Sequence, residues 1–193
     1  MDNNRNLRIK YKNMSLGFFI IFIVCMSSFV YSLRSNYSRM VNLRNTLYSV
    51  DQNNGDVKTA LNNLRTFVTS HMNTDLTSGN TSVYPPIQLE YTYQRIVQSQ
   101  LGSQDNNTKL YTDAENYCQS QITVGFSGKY RIPCVENYIN THSLTKINVD
   151  PSLYEFAFIS PSFSFDLAGL SMIAVIISAS LTLLYLVSYL VRR

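Results

Sequence analysis

The sequence predicts a mostly α-helical protein in which two transmembrane helices flank an extracytoplasmic helical domain, hairpin-like or bundle-like, with one short extended segment. Two long uncharged stretches, and helical periodicities between them, carry this prediction. The chain of 193 residues is 45% hydrophobic but only 15% charged, whereas typical soluble domains contain about 25% charged residues. The composition therefore argues against an ordinary cytosolic globule and against a disordered chain.

The first uncharged stretch runs from Asn13 to Leu33. Because a helix needs about 20 apolar residues to cross the hydrocarbon core of a membrane, we expect a transmembrane helix over residues 15–33. The basic tail that precedes it, residues 1–14, is also typical of a cleaved signal peptide. The sequence Cys25–Tyr31 contains no small-residue cleavage site, so we favour an uncleaved signal anchor.

The second uncharged stretch, Leu167–Val191, is comfortably long enough to span, and we assign residues 166–191 to this helix. Basic residues lie beside the far ends of both stretches, in the tail and at residues 192–193. Since basic residues near spans stay on the cytoplasmic side, we expect both termini to be cytoplasmic. Residues 34–165 would then be extracytoplasmic, at a plasma (inner) membrane.

The net charge of +4 arises outside the segment between the spans, where ten basic and ten acidic residues balance. The charge therefore reports membrane orientation, and we expect no nucleic-acid partner. The partners we expect are the lipid bilayer and either a membrane or envelope protein or a second copy of the chain.

The three cysteines divide into one inside the first span, Cys25, and two in the outer segment, Cys118 and Cys134. In an oxidising compartment the outer two are predicted to form a disulfide bond. Closing a loop of this size would stabilise the fold by about 3 kcal/mol and would pin the turn Ser127–Lys129. Because His71 and His142 lack ligand spacing to these cysteines, we predict no metal site and no cofactor.

Apolar residues at steps of three and four predict helices through most of the outer segment. The first span is expected to continue as a helix to about Val50, to break at Asp51–Asp56, and to be followed by a second helix from Val57 to Met72. The polar stretch Thr74–Pro86 is predicted to be a loop. Further helices are expected from Leu89, from a capping-box pattern at Thr112 and from Pro133, with an extended segment at Tyr154, Phe156 and Phe158.

Motifs for catalysis and metal binding are weak. Asp51, Asn53 and Gly55 resemble the start of a calcium loop, but the fifth and twelfth positions lack the required ligands, so we interpret them as a turn and helix cap. The sequence contains no G-x-S-x-G, P-loop or H-E-x-x-H motif, and we predict that the protein is not an enzyme. A hydrolase is a further hypothesis, which needs His71 or His142 beside a hydroxyl and a carboxylate.

Tyrosines of the outer segment are the candidate partner-binding residues, since rings with polar tips suit contact surfaces. The alternative is that they cover a small helical core with their hydroxyls in water. The candidates are Tyr91, Tyr93, Tyr111, Tyr117, Tyr130 and Tyr138.

A stripe of small residues on the second span predicts close helix packing in lipid; it consists of Ser171, Ala174, Ser178 and Thr182. Its partner is either the first span, through Gly17, Ser27 and Ser28, or another subunit. Neither apolar stretch, Leu16–Leu33 or Leu170–Val191, carries a charged residue, so a proton or ion relay has no obvious carrier.

Four short segments resemble an uncharacterised family of two-span membrane proteins of Saccharibacteria-type (candidate-phylum) bacteria: HMNTDL at 71–76, VYPPIQL at 83–89, IPC at 132–134 and DLAG at 166–169. That resemblance implies a location and a topology but no activity. The layout alone also resembles the front half of chemoreceptors and sensor kinases, in which a cytoplasmic output domain follows the second span. Here only residues 192–193 follow it, so the analogy supports architecture alone.

These observations predict a non-enzymatic, two-pass membrane protein whose outer helical domain binds a protein partner in an envelope or membrane assembly. The alternative is a ligand-sensing membrane subunit without its own output domain. In a eukaryotic secretory route, Asn36, Asn80 and Asn106 would be candidate glycosylation sites.

Overall fold

A computed structural model of the protein describes residues 2–79, 87–102, 105–121, 130–143, 146–159 and 163–191. Its elements are the helices α1 (Asp2–Gln52), α2 (Val57–His71), α3 (Glu90–Leu101), α4 (Asp105–Gln121), α5 (Arg131–His142) and α6 (Leu167–Val191), and the strands β1 (Asp75–Ser78), β2 (Ile87–Gln88) and β3 (Glu155–Ile159). The prediction of a mostly α-helical fold with long apolar helices toward both ends of the chain is confirmed.

The chain divides into two compact units. The span unit comprises Met1–Val41, Phe67–Asn73 and Ser162–Arg193, and the helical unit comprises Asn42–Thr66 and Thr74–Pro161. Each unit has its own interior, and the two interiors are made of different residue types.

In the span unit, α1 and α6 pack along matching stripes. On α1 the less exposed positions recur at alternating steps of four and three: Tyr11, Ser15, Phe18, Phe22, Cys25, Phe29, Ser32 and Asn36. On α6 they are Ala168, Ser171, Val175, Ser178, Thr182, Tyr185 and Tyr189. A repeat of 3.5 residues is typical of two helices paired along their length.

Side-chain contacts join the two helices where α1 begins and α6 ends. Ser15 donates a 3.4 Å hydrogen bond to the carbonyl oxygen of Thr182, and the rings of Phe18 and Tyr185 stack with centroids 5.4 Å apart. Ser171 and Ser178 are buried, and Ala174 and Thr182 are part-buried. On α1 the described contacts to α6 include those of Tyr11, Ser15 and Phe18. Of the three small residues predicted to take part, Gly17 faces open space and Ser27 is exposed, whereas Ser28 is part-buried.

At the other end of the span unit, polar side chains join α1, the end of α2 and the start of α6. The Asn36 amide donates hydrogen bonds of 2.7 Å both to Asp166 Oδ2 and to the carbonyl oxygen of His71. Asp166 Oδ1 accepts from the amide of Gly169, which caps the first turn of α6. A side chain at Gly169 would collide with the carbonyl oxygen of Ser164, so this close approach requires glycine.

The helical unit is built around an aliphatic and aromatic interior. Its three-stranded antiparallel sheet has the order β1-β3-β2, with Leu76 opposite Phe158 and Ile87 opposite Phe156. Fully buried side chains from every element of the unit fill the interior, including Leu47, Leu64, Leu76, Ile87, Leu89, Val97, Ala114 and Ile139.

Two local predictions were wrong. Residues 75–78 form a strand within the predicted loop Thr74–Pro86, because Leu76 is buried and pairs with β3. Thr112 lies in the interior of α4, which begins at Asp105, so the capping-box pattern does not begin a helix. The extended segment predicted at Tyr154, Phe156 and Phe158 is confirmed as β3, and the structure adds that β3 is the central strand of a three-stranded sheet whose other strands come from distant parts of the chain. The turn Ser127–Lys129 and Asn80 lie outside the described residues.

Candidate functional site: an aromatic face on two disulfide-linked helices

The six candidate tyrosines divide into buried and exposed side chains. Tyr93 is 0% exposed and Tyr111 is 2% exposed, so both belong to the interior and the prediction that they contact a partner was wrong. Each lies three or four residues from another buried residue of its helix, Tyr93 from Val97 and Tyr111 from Ala114, so both are on the inward face. Burial raises the pKa of both hydroxyls well above the usual value for tyrosine.

The remaining candidates lie at the surface or at its edge. Tyr91, on α3, and Tyr130, just before α5, are exposed, and no ring contact of either is described. Tyr117, on α4, is 49% exposed and lies beside the part-buried Tyr138 of α5, with ring centroids 5.2 Å apart.

His142 extends this pair at the end of α5. Its ring stacks on that of Tyr138 with centroids 4.1 Å apart, and its Nδ1 lies 2.9 Å from the carbonyl oxygen of Tyr138. We call Tyr117, Tyr138 and His142 the aromatic face. Tyr138 and His142 are four residues apart and therefore lie one above the other on the helix.

The disulfide bond between Cys118 and Cys134 fixes the two helices that carry this face. The Cα atoms of the two cysteines are 5.9 Å apart, and Cys118 is fully buried next to Tyr117. Cys134 lies one turn before Tyr138. Because the bond joins α4 and α5 at this level, it holds Tyr117 and Tyr138 side by side.

Most of the exposed residues that border the aromatic face are uncharged, although Asp113, one turn before Tyr117 on the same side of α4, is exposed and acidic. The uncharged ones are Asn116, Ser120, Gln121, Asn137 and Thr141. Rigid tyrosine rings supply contact area at a low cost in side-chain entropy, and short amides and hydroxyls supply adaptable hydrogen bonds, the composition seen in antibody contact surfaces.

An ion-pair cluster connects the same helices to α3. Arg131 contacts Glu90 at 2.8 Å and Glu115 at 3.4 Å, so one guanidinium links α5 to α3 and α4. Burial raises the pKa of Glu90, although the Arg131 charge opposes that shift. The cluster is better suited to positioning helices than to binding an anion, because two carboxylates already surround the single cation.

Asp51, the first residue of the calcium-like pattern, is a structural anchor for α3. Its side chain is 1% exposed and accepts hydrogen bonds from the Tyr91 amide at 3.0 Å, the Thr92 hydroxyl at 2.6 Å and the Arg95 guanidinium at 2.8 Å. A carboxylate at the beginning of a helix satisfies free backbone amides and interacts favourably with the helix dipole.

The structure places a hydroxyl, one of the groups that the hydrolase hypothesis requires, close to His71. Ser70 Oγ lies 2.6 Å from His71 Nδ1, but that nitrogen also lies 3.2 Å from the carbonyl oxygen of Phe67. Asp166 interacts electrostatically with His71, yet its oxygens accept hydrogen bonds from Asn36 and Gly169. These contacts serve the ends of two helices, and no described carboxylate orients the imidazole by a hydrogen bond as a catalytic triad requires.

Within the described ranges, no group of three or more His, Cys, Asp or Glu side chains is arranged to hold a metal ion. Comparison of the chain with known protein families, with curated proteins and with solved structures finds no match.

Proposed function

We propose that this chain is a two-pass membrane protein, without enzymatic activity, whose helical unit binds a protein partner outside the cytoplasm. The partner would be part of an envelope or membrane assembly in the plasma (inner) membrane. The aromatic face carries the proposal, because its two tyrosines and His142 stack at the surface, have mostly uncharged neighbours and lie on helices joined by the disulfide bond.

The span unit supports the membrane part of this proposal. Its two helices are long and apolar enough to cross a bilayer. Their large apolar side chains, such as Ile176 and Leu184, point away from the helix pair, while serines lie inside it. This arrangement suits a lipid solvent, where small residues allow close packing and apolar side chains face the hydrocarbon.

Exposed aromatic rings near one end of the helix pair are consistent with a boundary between lipid and water at that end. Phe165, directly before α6, is 82% exposed and packs edge-on against Phe163 at 5.1 Å. Tyr31, near the end of the uncharged part of α1, is also exposed. Aromatic rings concentrate at the boundary between hydrocarbon and water.

The proposal is tested by site-specific photocrosslinking in the native membrane. A photoreactive amino acid replaces Tyr117 or Tyr138 in separate full-length proteins, and adducts are identified by mass spectrometry. Thr112 is the matched control position, since it is exposed on the same helix but points to another side. We expect one heterologous adduct from positions 117 and 138 and none from position 112.

Alanine at the same positions measures the energetic contribution. Tyr117→Ala and Tyr138→Ala should each reduce co-purification of that partner by about tenfold, as expected for a tyrosine at the centre of an interface. Thr112→Ala should leave it unchanged. Equal crosslinking from all three positions, or none from any, would contradict the proposal.

A ligand-sensing subunit stays the alternative prediction, and a chain without any crosslinked protein would favour it. Stabilisation of the purified full-length protein by one class of metabolite in a thermal-shift screen would then be expected. A crosslinked second copy of the chain would instead identify a homo-oligomer as the assembly.

A further inference from the structure

Where α1 begins and α6 ends, the side chain of Arg8 is held against Tyr189. The guanidinium carbon of Arg8 lies 5.0 Å from the centre of the Tyr189 ring, and Nη2 donates a 3.4 Å hydrogen bond to the Tyr189 hydroxyl. A cation over a ring and a hydrogen bond from the same group restrict the guanidinium to a narrow range of positions. The guanidinium of Arg8 on α1 is therefore held against α6.

The positive charge at this place has no acidic partner among the described side chains. Arg95 and Arg131 each form an ion pair with a carboxylate in the helical unit, whereas none is formed by Arg8 or by Lys12 within the described part of the chain. Lys12 lies one helical turn beyond Arg8 and is exposed. Two neighbouring cations without an acidic partner among the described side chains attract an anion.

The position of these residues along the helix indicates which anion they meet. Lys12 is the last charged residue before the uncharged stretch of α1, and Arg8 lies about 6 Å farther from it along the helix axis. The polar layer on each side of a bilayer extends about 5–8 Å beyond the hydrocarbon. Arg8 thus lies at the depth of the lipid phosphates if Lys12 marks the hydrocarbon boundary.

We propose that Arg8 and Lys12 bind the phosphate of an anionic phospholipid in the cytoplasmic leaflet, with Tyr189 holding Arg8 in place; this rests on the membrane topology proposed above. A guanidinium donates two parallel hydrogen bonds to phosphate oxygens, and the lysine adds a second charge. A lipid without a cationic head, such as phosphatidylglycerol, fits this site. Phosphatidylcholine would bring a third cation to it.

The test measures lipid binding to the full-length protein in a neutral detergent by native mass spectrometry. We expect phosphatidylglycerol to bind at least about fivefold more tightly than phosphatidylcholine, the effect of one basic side chain near an anionic lipid. Arg8→Gln should remove about a fivefold preference. Lys10→Gln is the matched control, because it deletes the same charge from the same segment on another side of the helix, and it should change the preference by less than about twofold.

Each other result overturns the site. Equal losses in Arg8→Gln and Lys10→Gln would mean a diffuse attraction to the basic tail, and no preference in the unchanged protein would exclude selective binding. Displacement of the lipid by soluble glycerophosphoglycerol at equal concentration would assign the site to free phosphodiesters. Arg8→Lys keeps the positive charge but lacks the planar guanidinium. A loss of lipid preference smaller than that of Arg8→Gln would support recognition by the guanidinium. Circular dichroism of each variant checks separately that it is folded.

Failure of this site and failure of the proposed membrane topology are distinguishable. Resistance of the unchanged protein to extraction from membranes by alkaline carbonate tests integration without reference to lipid class. An integrated protein without lipid preference would overturn only the phospholipid site, whereas a protein released by carbonate would overturn the topology as well.

Discussion

The span unit and the helical unit differ in the polar residues that they bury: among the described residues, the buried serines all lie in the span unit. In the span unit the interior contains Ser15, Ser32, Ser171 and Ser178, while leucines and isoleucines cover the outside. In the helical unit the interior is aliphatic and aromatic, and its exposed large apolar side chains are mostly tyrosines. The buried hydroxyls of Ser171 and Ser178 donate to carbonyl oxygens of their own helix, as Ser178 does to Ala174 at 2.7 Å, whereas Ser15 donates across to Thr182.

This difference is what the proposed membrane topology predicts, since the span unit would then lie in lipid and the helical unit in water. In water, apolar burial stabilises a fold by about 25 cal/mol per Å², which favours an interior like that of the helical unit. In lipid this gain is absent between helices, and close approach of small residues replaces it. The predictions below separate the two modes of packing.

The largest expected effect is at Asp51 in the helical unit. Asp51→Ala should lower the free energy of unfolding by about 3–5 kcal/mol, because it removes three hydrogen bonds to a buried carboxylate that anchors α3, and hydrogen bonds to charged groups contribute about 1.5–3 kcal/mol each. Chemical denaturation of the full-length protein in detergent, followed by circular dichroism, measures it. Asp113→Ala, at an exposed position of α4, is the control and should change the value by less than about 0.5 kcal/mol.

Removal of the disulfide bond should be the next largest effect. Replacing Cys118 and Cys134 by alanine should cost about 3 kcal/mol, since the unfolded chain gains freedom when the loop opens. Cys25→Ala, in the span unit, should leave the unfolding midpoint unchanged by comparison. Identical midpoints for the double variant and the unchanged protein would contradict a structural disulfide.

Two serines of α6 provide a matched test of lipid-adapted packing. Ser178 is buried and Ser180 is exposed, and each donates a hydrogen bond to the carbonyl four residues earlier. Ser178→Leu should destabilise the span pair by about 1–3 kcal/mol through overpacking, whereas Ser180→Leu should be neutral. Unfolding by SDS in mixed micelles measures both, and equal effects would show that Ser178 does not lie at a helix contact.

A change of opposite sign is expected at Tyr93. Its hydroxyl is buried without a hydrogen-bond partner among the described residues. The rings of Tyr93 and Tyr154 pack edge-on, with centroids 5.0 Å apart. Tyr93→Phe should therefore raise the free energy of unfolding by about 1 kcal/mol, the cost of an unsatisfied buried group. Tyr117→Phe, whose hydroxyl is at the surface, should have no effect; a destabilised Tyr93→Phe would reveal a hydrogen bond in solution.

The smallest effect concerns Glu90 and pH. Because burial raises the pKa of Glu90 above its ordinary value of 4.5, the folded state holds this proton more tightly than the unfolded state. The resulting stability is present below pH 4.5 and is lost as the pH rises through the folded pKa. Glu90→Gln should make the decline of stability above pH 4.5 shallower by less than about 1 kcal/mol, and an unchanged pH profile would refute this.

Local patterns in the sequence were sufficient for most helices. The break at Asp51–Asp56 and the helix from Val57 were predicted from turn residues and periodicity, both of which act over a few residues. The strands were predicted less well: β3 was expected from its alternation, whereas β1 and β2 are short and acquire their identity by pairing with it. The candidate site was predicted only in part, since periodicity did not separate buried Tyr93 from exposed Tyr117.

The sequence alone determined the two apolar stretches, the helical character of the chain and the one pair of cysteines outside the first span. These properties depend on composition and local spacing, which need no knowledge of distant contacts. Tertiary structure alone decided that Tyr117, Tyr138 and His142 share a surface, that Asp51 anchors α3 and that Arg8 lies on Tyr189. Each of these joins residues from separate turns or separate elements, and only the packing of the chain determines which side chains meet.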